Sequence, residues 1–321
     1  MKSLGLIAVL TLLAPALFAK SKVTDLMFRP STGAIAFEGG FDYTKESYSI
    51  KSASITTRED DRTGSSLRAG ATYGVMDTFS FGFNFTYQMS DELEQNNKSV
   101  SPSIKTTKKS SGFKEPNFIA SYRALDEKGA IGLPLDVTVL VSPSFSDGKE
   151  ANVTTEGDSL RGGFLADVQG KVGGKLEGFS WEGHLNLSFL GSRKLDNATS
   201  GQDELDKDSR MDFSLGGRGQ IQIGESIAFD AGLDLVFIGE ETTKLTLSNI
   251  TIKDDSHMNF VLSGKLHYYL IADKLALNGS ATYTKVGDFD STSTQGSNTS
   301  TVSQRVDDNI IGIGLGASFL F

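Results

Sequence analysis

Hydrophobic and polar residues alternate strictly along several stretches of this chain. In the clearest stretch, 78–89, every second residue is a phenylalanine, tyrosine or methionine, and the residues between them are small or polar. The stretch 310–321 alternates in the same way and ends on Phe321. An α-helix would spread these side chains around its circumference, whereas a β-strand places them all on one face. The pattern therefore predicts amphipathic β-strands.

About twelve such segments follow one another, each of roughly ten residues. They are 34–44, 65–74, 78–89, 116–124, 135–143, 161–172, 179–190, 211–223, 227–238, 257–270, 275–286 and 310–321. This is the length that a tilted strand needs to cross a membrane, and bacterial single-chain barrels have an even number of strands. The sequence therefore predicts an all-β fold, a transmembrane up-and-down antiparallel β-barrel of about twelve strands.

The connections between these segments alternate between short and long. The long, polar ones are 45–64, 90–115, 144–160, 191–210, 239–256 and 287–309. An outer-membrane barrel has short periplasmic turns and long extracellular loops, whereas a soluble β-sandwich has no reason to alternate so regularly. Residues 243–252 contain further apolar positions, and we expect them either to extend the neighbouring strands or to form a small hairpin.

The N-terminus has the pattern of an exported protein. A positively charged start precedes an apolar region over residues 4–17, which a small residue suited to cleavage follows. We expect residues 1–19 to be a signal peptide, residues 20–33 to be a periplasmic lead-in and residues 34–321 to form the barrel. The expected location is the outer membrane of a Gram-negative cell.

The composition excludes several classes of site. The chain has no cysteine, which excludes disulfides, thiolate metal sites, a thiol nucleophile and a lipid-anchored lipoprotein. Its formal net charge of −9 argues against nucleic acid as a partner. We expect neither a cofactor nor a metal.

Charged residues occupy the polar face of many strands, which in a barrel faces the lumen. Hairpin geometry places Arg218 diagonal to Asp230 and Asp234, and brings Lys171 near Glu182. One interpretation is a field across an aqueous pore that orients polar solutes. The other is a set of ion pairs that fill and rigidify a narrow barrel, since buried charges need partners. The residues interpreted as pore-lining are Glu38, Asp42, Arg68, Arg123, Lys171, Glu182, Arg218, Asp230, Asp234 and Lys265.

One region also resembles a known family. Within residues 112–145, a strand ends in Tyr-Arg at 122–123, and a second, apolar strand leads into Val-Ser-Pro at 141–143. This arrangement resembles the outer-membrane proteins named for the meta-pathway of phenol degradation, although Glu-Pro at 115–116 replaces the usual Gly-Asp. The resemblance spans most of the mature chain and implies a transporter of small apolar or aromatic compounds.

Catalytic and metal sites have little support in the sequence. His184 and His267 lie on the polar face of their strands, where a lipid-facing hydrolase triad cannot use them, and no G-x-S-x-G motif is present. His257 lies beside two aspartates at the edge of a long loop, which we interpret as solvated. The acidic run 203–208 lacks the glycine and final glutamate of an EF-hand loop, so it too is interpreted as a solvated loop.

The sequence thus predicts a channel or uptake protein, not an enzyme, that passes small solutes by passive diffusion. One alternative is a structural or surface-recognition barrel that acts through its extracellular loops. A second is an outer-membrane hydrolase that uses His257 or His184. The expected partners are outer-membrane lipid and lipopolysaccharide, an unknown small solute, and the barrel-assembly machinery, which would read the terminal Phe321.

Overall fold

The computed structural model describes residues 22–126, 132–151, 155–176, 178–197, 204–271, 274–296 and 299–321. The expected signal peptide lies outside the described residues. Within the described part of the chain, no helix has the length and apolar character needed to cross a membrane.

The described residues form twenty β-strands that belong to one sheet. They are β1 (Ile35–Ser52), β2 (Ile55–Met76), β3 (Phe79–Asn97), β4 (Ile104–Phe113), β5 (Asn117–Leu125), β6 (Leu135–Ser142), β7 (Gly148–Glu150), β8 (Gly157–Asp158), β9 (Leu165–Leu176), β10 (Phe179–Leu190), β11 (Arg193–Asn197), β12 (Leu205–Lys207), β13 (Arg210–Ile223), β14 (Ile227–Ile238), β15 (Glu241–Leu245), β16 (Ile250–Asp254), β17 (His257–Ile271), β18 (Leu275–Val286), β19 (Phe289–Gln295) and β20 (Thr299–Leu320).

Twelve of these strands form a closed barrel, each antiparallel to its neighbours. In order around the wall they are β1, β2, β3, β5, β6, β9, β10, β13, β14, β17, β18 and β20. The last strand returns to the first, with Phe319 opposite Phe37 and Leu315 opposite Phe41. The predicted fold, a twelve-stranded up-and-down antiparallel β-barrel, is confirmed.

The outside of this barrel is apolar. On β3, Phe81, Phe83 and Phe85 are 39–45% exposed, while Ser80 on the opposite face is buried. Large aliphatic and aromatic side chains are exposed in the same way on the other barrel strands. Soluble monomers rarely expose a continuous apolar surface of more than a few hundred Å², whereas hydrocarbon chains cover such a belt without penalty. The chain is therefore an outer-membrane β-barrel protein.

The long connections differ from the expectation, because much of their length is β-structure and not loop. β1 and β2 stay paired up to a tight turn at residues 53–54, far beyond the predicted strand ends at 44 and 65. β4 pairs with the outer part of β3. Further around the wall, β12 pairs with β15, β15 with β16, and β16 with β19. Polar side chains occupy both faces of these extensions, so their sequences show no amphipathic period.

These extensions form a second ring above the membrane, here called the extracellular cylinder. β19 pairs with the outer part of β20, which pairs with β1, and the strands β4–β8 and β7–β11 pair in parallel. The hairpin expected at 243–252 is present as β15 and β16, and it also extends the wall between β12 and β19. In the acidic run, residue 203 lies outside the described residues and 205–207 form β12, so the expectation of a loop there was wrong.

Candidate solute pathway

The polar side chains of the barrel strands meet in ion pairs inside the barrel. Arg68 Nε lies 3.1 Å from Asp42 Oδ2, on the directly adjacent strands β1 and β2. Glu182, which is almost fully buried, lies 3.6 Å from Lys171 Nζ and 3.8 Å from Arg218 Nε. The expected approach of Lys171 to Glu182 is therefore present. Opposite charges lie together here, and the buried Glu182 carboxylate in particular requires its basic partners.

Arg218 does not pair with the aspartates that hairpin geometry suggested. The expected register is present, with Arg218 opposite Gly232 on β14. On its other side, however, Arg218 stands directly opposite Glu182 of β10. A directly opposed cross-strand pair is closer than a diagonal one, so Arg218 turns to Glu182, and the diagonal pairing with Asp230 and Asp234 was wrong.

Two histidines contact Asp230 and Asp234 instead. His184 Nε2 lies 2.7 Å from Asp234 Oδ1, and its other ring nitrogen lies 3.6 Å from Glu182 Oε1. His267 lies 2.8 Å from Asp230 Oδ2 through Nε2 and 2.6 Å from Asn278 Oδ1 through Nδ1. Both histidines lie on the polar face of their strands, as the sequence showed, but sequence alone gave no sign of these partners.

Two further predicted residues lie beside these pairs. Lys265 stands directly opposite Asp230 in the β14–β17 register. Glu38 contributes to the wall of an internal cavity, together with Lys171. Arg123 pairs elsewhere, through two hydrogen bonds of 2.8 and 2.9 Å to the carboxylate of Asp136.

Sequence reasoning missed Asp136, although a signal was available. Asp136 occupies the polar face of a strand that is otherwise described by its valines and leucines, directly opposite Arg123 across the hairpin. The same carboxylate lies 3.3 Å from Arg29 Nη2. Arg29 belongs to the segment that precedes the barrel, so Asp136 ties that segment to the wall.

The N-terminal segment, residues 22–33, lies across the end of the barrel that carries the short turns. It begins at the far side, where Val23 packs in a cluster with Ala228, Tyr269 and Ala276. It then continues along the opening and reaches β1 after Gly33, whose amide donates to Gly74 O at 2.8 Å. The N-terminal segment therefore covers the opening at the short-turn end, and short turns are typical of the periplasmic side of outer-membrane barrels.

Side chains hold the N-terminal segment to strands all around this opening. Gln220 Nε2 donates to Thr24 O at 2.9 Å, and Lys175 Nζ lies 2.8 Å from Asp25 Oδ2. The main attachment is Arg29, which is only 6% exposed. Among the segment's other contacts, Arg123 Nη2 donates to Met27 O at 2.9 Å and Thr32 Oγ1 donates to Asp77 Oδ1 at 2.7 Å.

A cavity of about 290 Å³ lies directly above the N-terminal segment, inside the barrel. The segment supplies an apolar floor, and the wall is polar on several strands. The floor includes Val23, Leu26 and Phe28, and the wall includes Glu38, Asn84, Thr138, Gln169 and Lys171. A small molecule with polar and apolar parts can fit here, since binding sites combine apolar lining with a few placed polar groups.

Comparison with solved structures agrees with this architecture. The COG4313 outer-membrane channel from Pseudomonas putida F1 is 13% identical over 93% of this chain and 98% of its own, with a TM-score of 0.56. The transport unit of the autotransporter AIDA-I from Escherichia coli is 14% identical over 98% of this chain and 97% of its own, with a TM-score of 0.54. At these identities the likeness shows the outer-membrane barrel fold.

No family model matches the chain, and no curated protein matches its sequence. The resemblance to the meta-pathway family therefore stays a prediction, as does the pore-lining role of the ten charged residues.

Proposed function

We propose that this protein is an outer-membrane channel through which small solutes diffuse, and that the N-terminal segment controls its periplasmic end. The observation that carries the proposal is the cavity inside the barrel, whose walls are polar strand residues and whose floor is the segment. Twelve strands make a barrel wider than one that side chains alone can fill, which leaves room for such a cavity.

The attachment of the N-terminal segment supports control of the opening. In the described part of the chain, the segment contacts the barrel through side-chain hydrogen bonds, ion pairs and one small apolar cluster, apart from the paired backbone at Gly33. A segment held in this way can leave the opening without breaking the ladder of the barrel. Local opening of weakly held elements costs much less free energy than global unfolding.

The lumen charges support selection among solutes. Arg68 and Arg218 keep 46% and 44% of their side chains exposed while they contact Asp42 and Glu182. A passing solute therefore meets cationic groups whose carboxylate partners are more buried. We infer that the lumen orients polar solutes, and that the family resemblance adds small aromatic compounds to those worth testing.

The test is conductance and solute flux through the refolded mature protein. Planar bilayers report discrete current steps from an open pore, and swelling of liposomes in sugars of increasing size reports the size limit. A matched variant that lacks residues 22–33 is expected to show larger steps and to admit larger sugars. Silence of both proteins, with folding confirmed by circular dichroism, would contradict the proposal.

The surface-recognition alternative has two observations in its favour. The ion pairs of the lumen would also suit a closed barrel, and the extracellular cylinder gives the protein a rigid outer surface. That alternative predicts no conductance in either protein and tolerance of lumen substitutions. The hydrolase alternative loses support at His257, whose ring stacks on Phe289 at 4.2 Å between centroids and whose Nδ1 lies 3.3 Å from the Asp255 carbonyl oxygen.

A further inference from the structure

A second cavity, of about 270 Å³, lies in the extracellular cylinder among β4, β7, β11 and β12. It belongs to the region that sequence reasoning treated as solvated loops. Four leucines from different strands and connections converge on it, and lysines stand among them. The leucines are Leu93, Leu160, Leu195 and Leu205.

The strand pairing explains why these leucines meet. Leu195 and Leu205 are directly opposite each other in the β11–β12 pair. Leu93 of β3 is directly opposite Lys108 of β4, so the apolar and cationic parts of the lining are adjacent. All four leucines are partly exposed, although they would gain from burial in a ring otherwise built from polar residues. A ligand with an apolar body would cover them.

Two of the lysines in the lining have no carboxylate partner among the residues that the structure describes. Arg62 pairs with Asp91, and Lys207 lies 3.4 Å from Glu241 Oε2. Within the described part of the chain, Lys108 and Lys149 form no ion pair.

The acids of the lining are Asp91, which pairs with Arg62, Glu150, which follows Lys149 in the chain, and Asp158. Asp158 Oδ1 accepts hydrogen bonds from the amides of Lys149 at 2.8 Å and Leu160 at 3.1 Å. The first of these bonds joins β8 to β7. The lining thus holds five basic side chains against three acidic ones, which leaves an excess of positive charge next to its apolar surface.

We propose that this cavity binds an organic anion that has one carboxylate and a short apolar body. The carboxylate contacts Lys108 and Lys149, and the apolar body covers the leucines. The volume fits a chain or ring of only a few carbons. This inference rests on the proposed function and adds a substrate class to it: the cavity captures the anion before it enters the barrel.

The test is calorimetric titration of the full mature protein in detergent with hexanoate as the probe. Hexanamide has the same shape without the charge, and acetate has the charge without the apolar body. Hexanoate is expected to bind more tightly than either. The affinity for hexanoate should exceed that for acetate by about fourfold for each methylene that the leucines cover.

Matched lysine variants locate the site. Lys108→Gln combined with Lys149→Gln should weaken hexanoate binding by about tenfold, because charge-assisted hydrogen bonds are lost. Lys105→Gln is the control, since Lys105 lies on the same strand but is exposed and pairs with Glu94 at 2.6 Å. Leu195→Ala should weaken hexanoate and leave acetate unchanged.

Three outcomes would overturn the inference: equal binding of hexanoate and hexanamide, an equal loss in the Lys105→Gln control, or no binding by a folded protein. Conductance of the same preparation separates this result from the proposed function. A protein that conducts but does not bind hexanoate refutes only the anion site. A silent protein that binds hexanoate refutes only the channel.

Discussion

Replacing Arg29 with alanine should open the periplasmic end of the barrel. Arg29 donates to Ser121 O at 3.2 Å, lies 3.3 Å from Asp136 and also donates to Thr78 O. Hydrogen bonds from a charged group contribute about 1.5–3 kcal/mol each and are not additive, so we take about 3 kcal/mol for the set. Asp136 keeps both bonds from Arg123, so no buried carboxylate is left without a partner.

A loss of about 3 kcal/mol raises the ratio of displaced to docked segment by about 100-fold. Single-channel recording in planar bilayers measures this ratio as the frequency of the large conductance state. Lys22→Ala is the matched control from the same segment, because among the described residues the Lys22 side chain makes an exposed hydrogen bond to the Glu225 carbonyl and lies over the Tyr269 ring. It should change the ratio by less than about fivefold.

An unchanged frequency of the large conductance state in Arg29→Ala would contradict this prediction. So would an equal increase of that frequency in Lys22→Ala, because the effect would then not depend on the buried attachment.

Three further predictions concern the lumen and the extracellular cylinder. Arg218→Gln removes an exposed lumen cation and should move the reversal potential in a salt gradient towards cation selectivity. Gly216→Ala places a methyl group against the Asp234 carboxylate and 2.6 Å from a histidine nitrogen, so it should destabilise the barrel by about 1–3 kcal/mol in urea unfolding. Burial opposes ionisation of Glu241, but Lys207 and Arg193 outweigh it and lower the pKa of Glu241 below the usual 4.5. Its stabilisation is therefore complete above pH 4.5 and lost as the pH falls through the lowered pKa, which proteolysis of the cylinder at graded pH would show.

Two of these predictions have a control variant, and the third has an outcome that would contradict it. Gly183→Ala should be tolerated, because the nearest atom to the added carbon is 3.9 Å away; equal destabilisation would show that the strand rejects any side chain. Glu241→Gln should remove the pH dependence of proteolysis, and persistence of that dependence would assign it to another group. An unchanged reversal potential in Arg218→Gln would place that side chain outside the ion path.

The strands that cross the membrane were predictable because lipid and lumen demand opposite chemistry. Residues 79–89 of the predicted segment 78–89 lie within β3, and 227–238 coincide with β14. The alternation is strong there, since each residue faces either hydrocarbon or a polar interior. The extracellular cylinder was not predictable in this way, because water surrounds both of its faces and hydrophobicity does not alternate.

The partners of the lumen charges were only partly predictable. Parity placed Glu182, Arg218 and Asp234 on one face, but which pair formed depended on strands that are distant in sequence. The attachment of the N-terminal segment could not be predicted from the sequence for the same reason. Arg29 finds its partner Asp136 a hundred residues further along the chain, and no local pattern marks such a contact.

We expect this barrel to conduct when the N-terminal segment is displaced, and a paired conductance measurement tests this expectation. The mature protein and the variant without residues 22–33 are reconstituted in planar bilayers at matched protein density. Discrete steps are expected in both, with a larger unit conductance in the shortened variant. Equal unit conductance in the two proteins, or silence of a folded shortened variant, would contradict the proposed role of the segment.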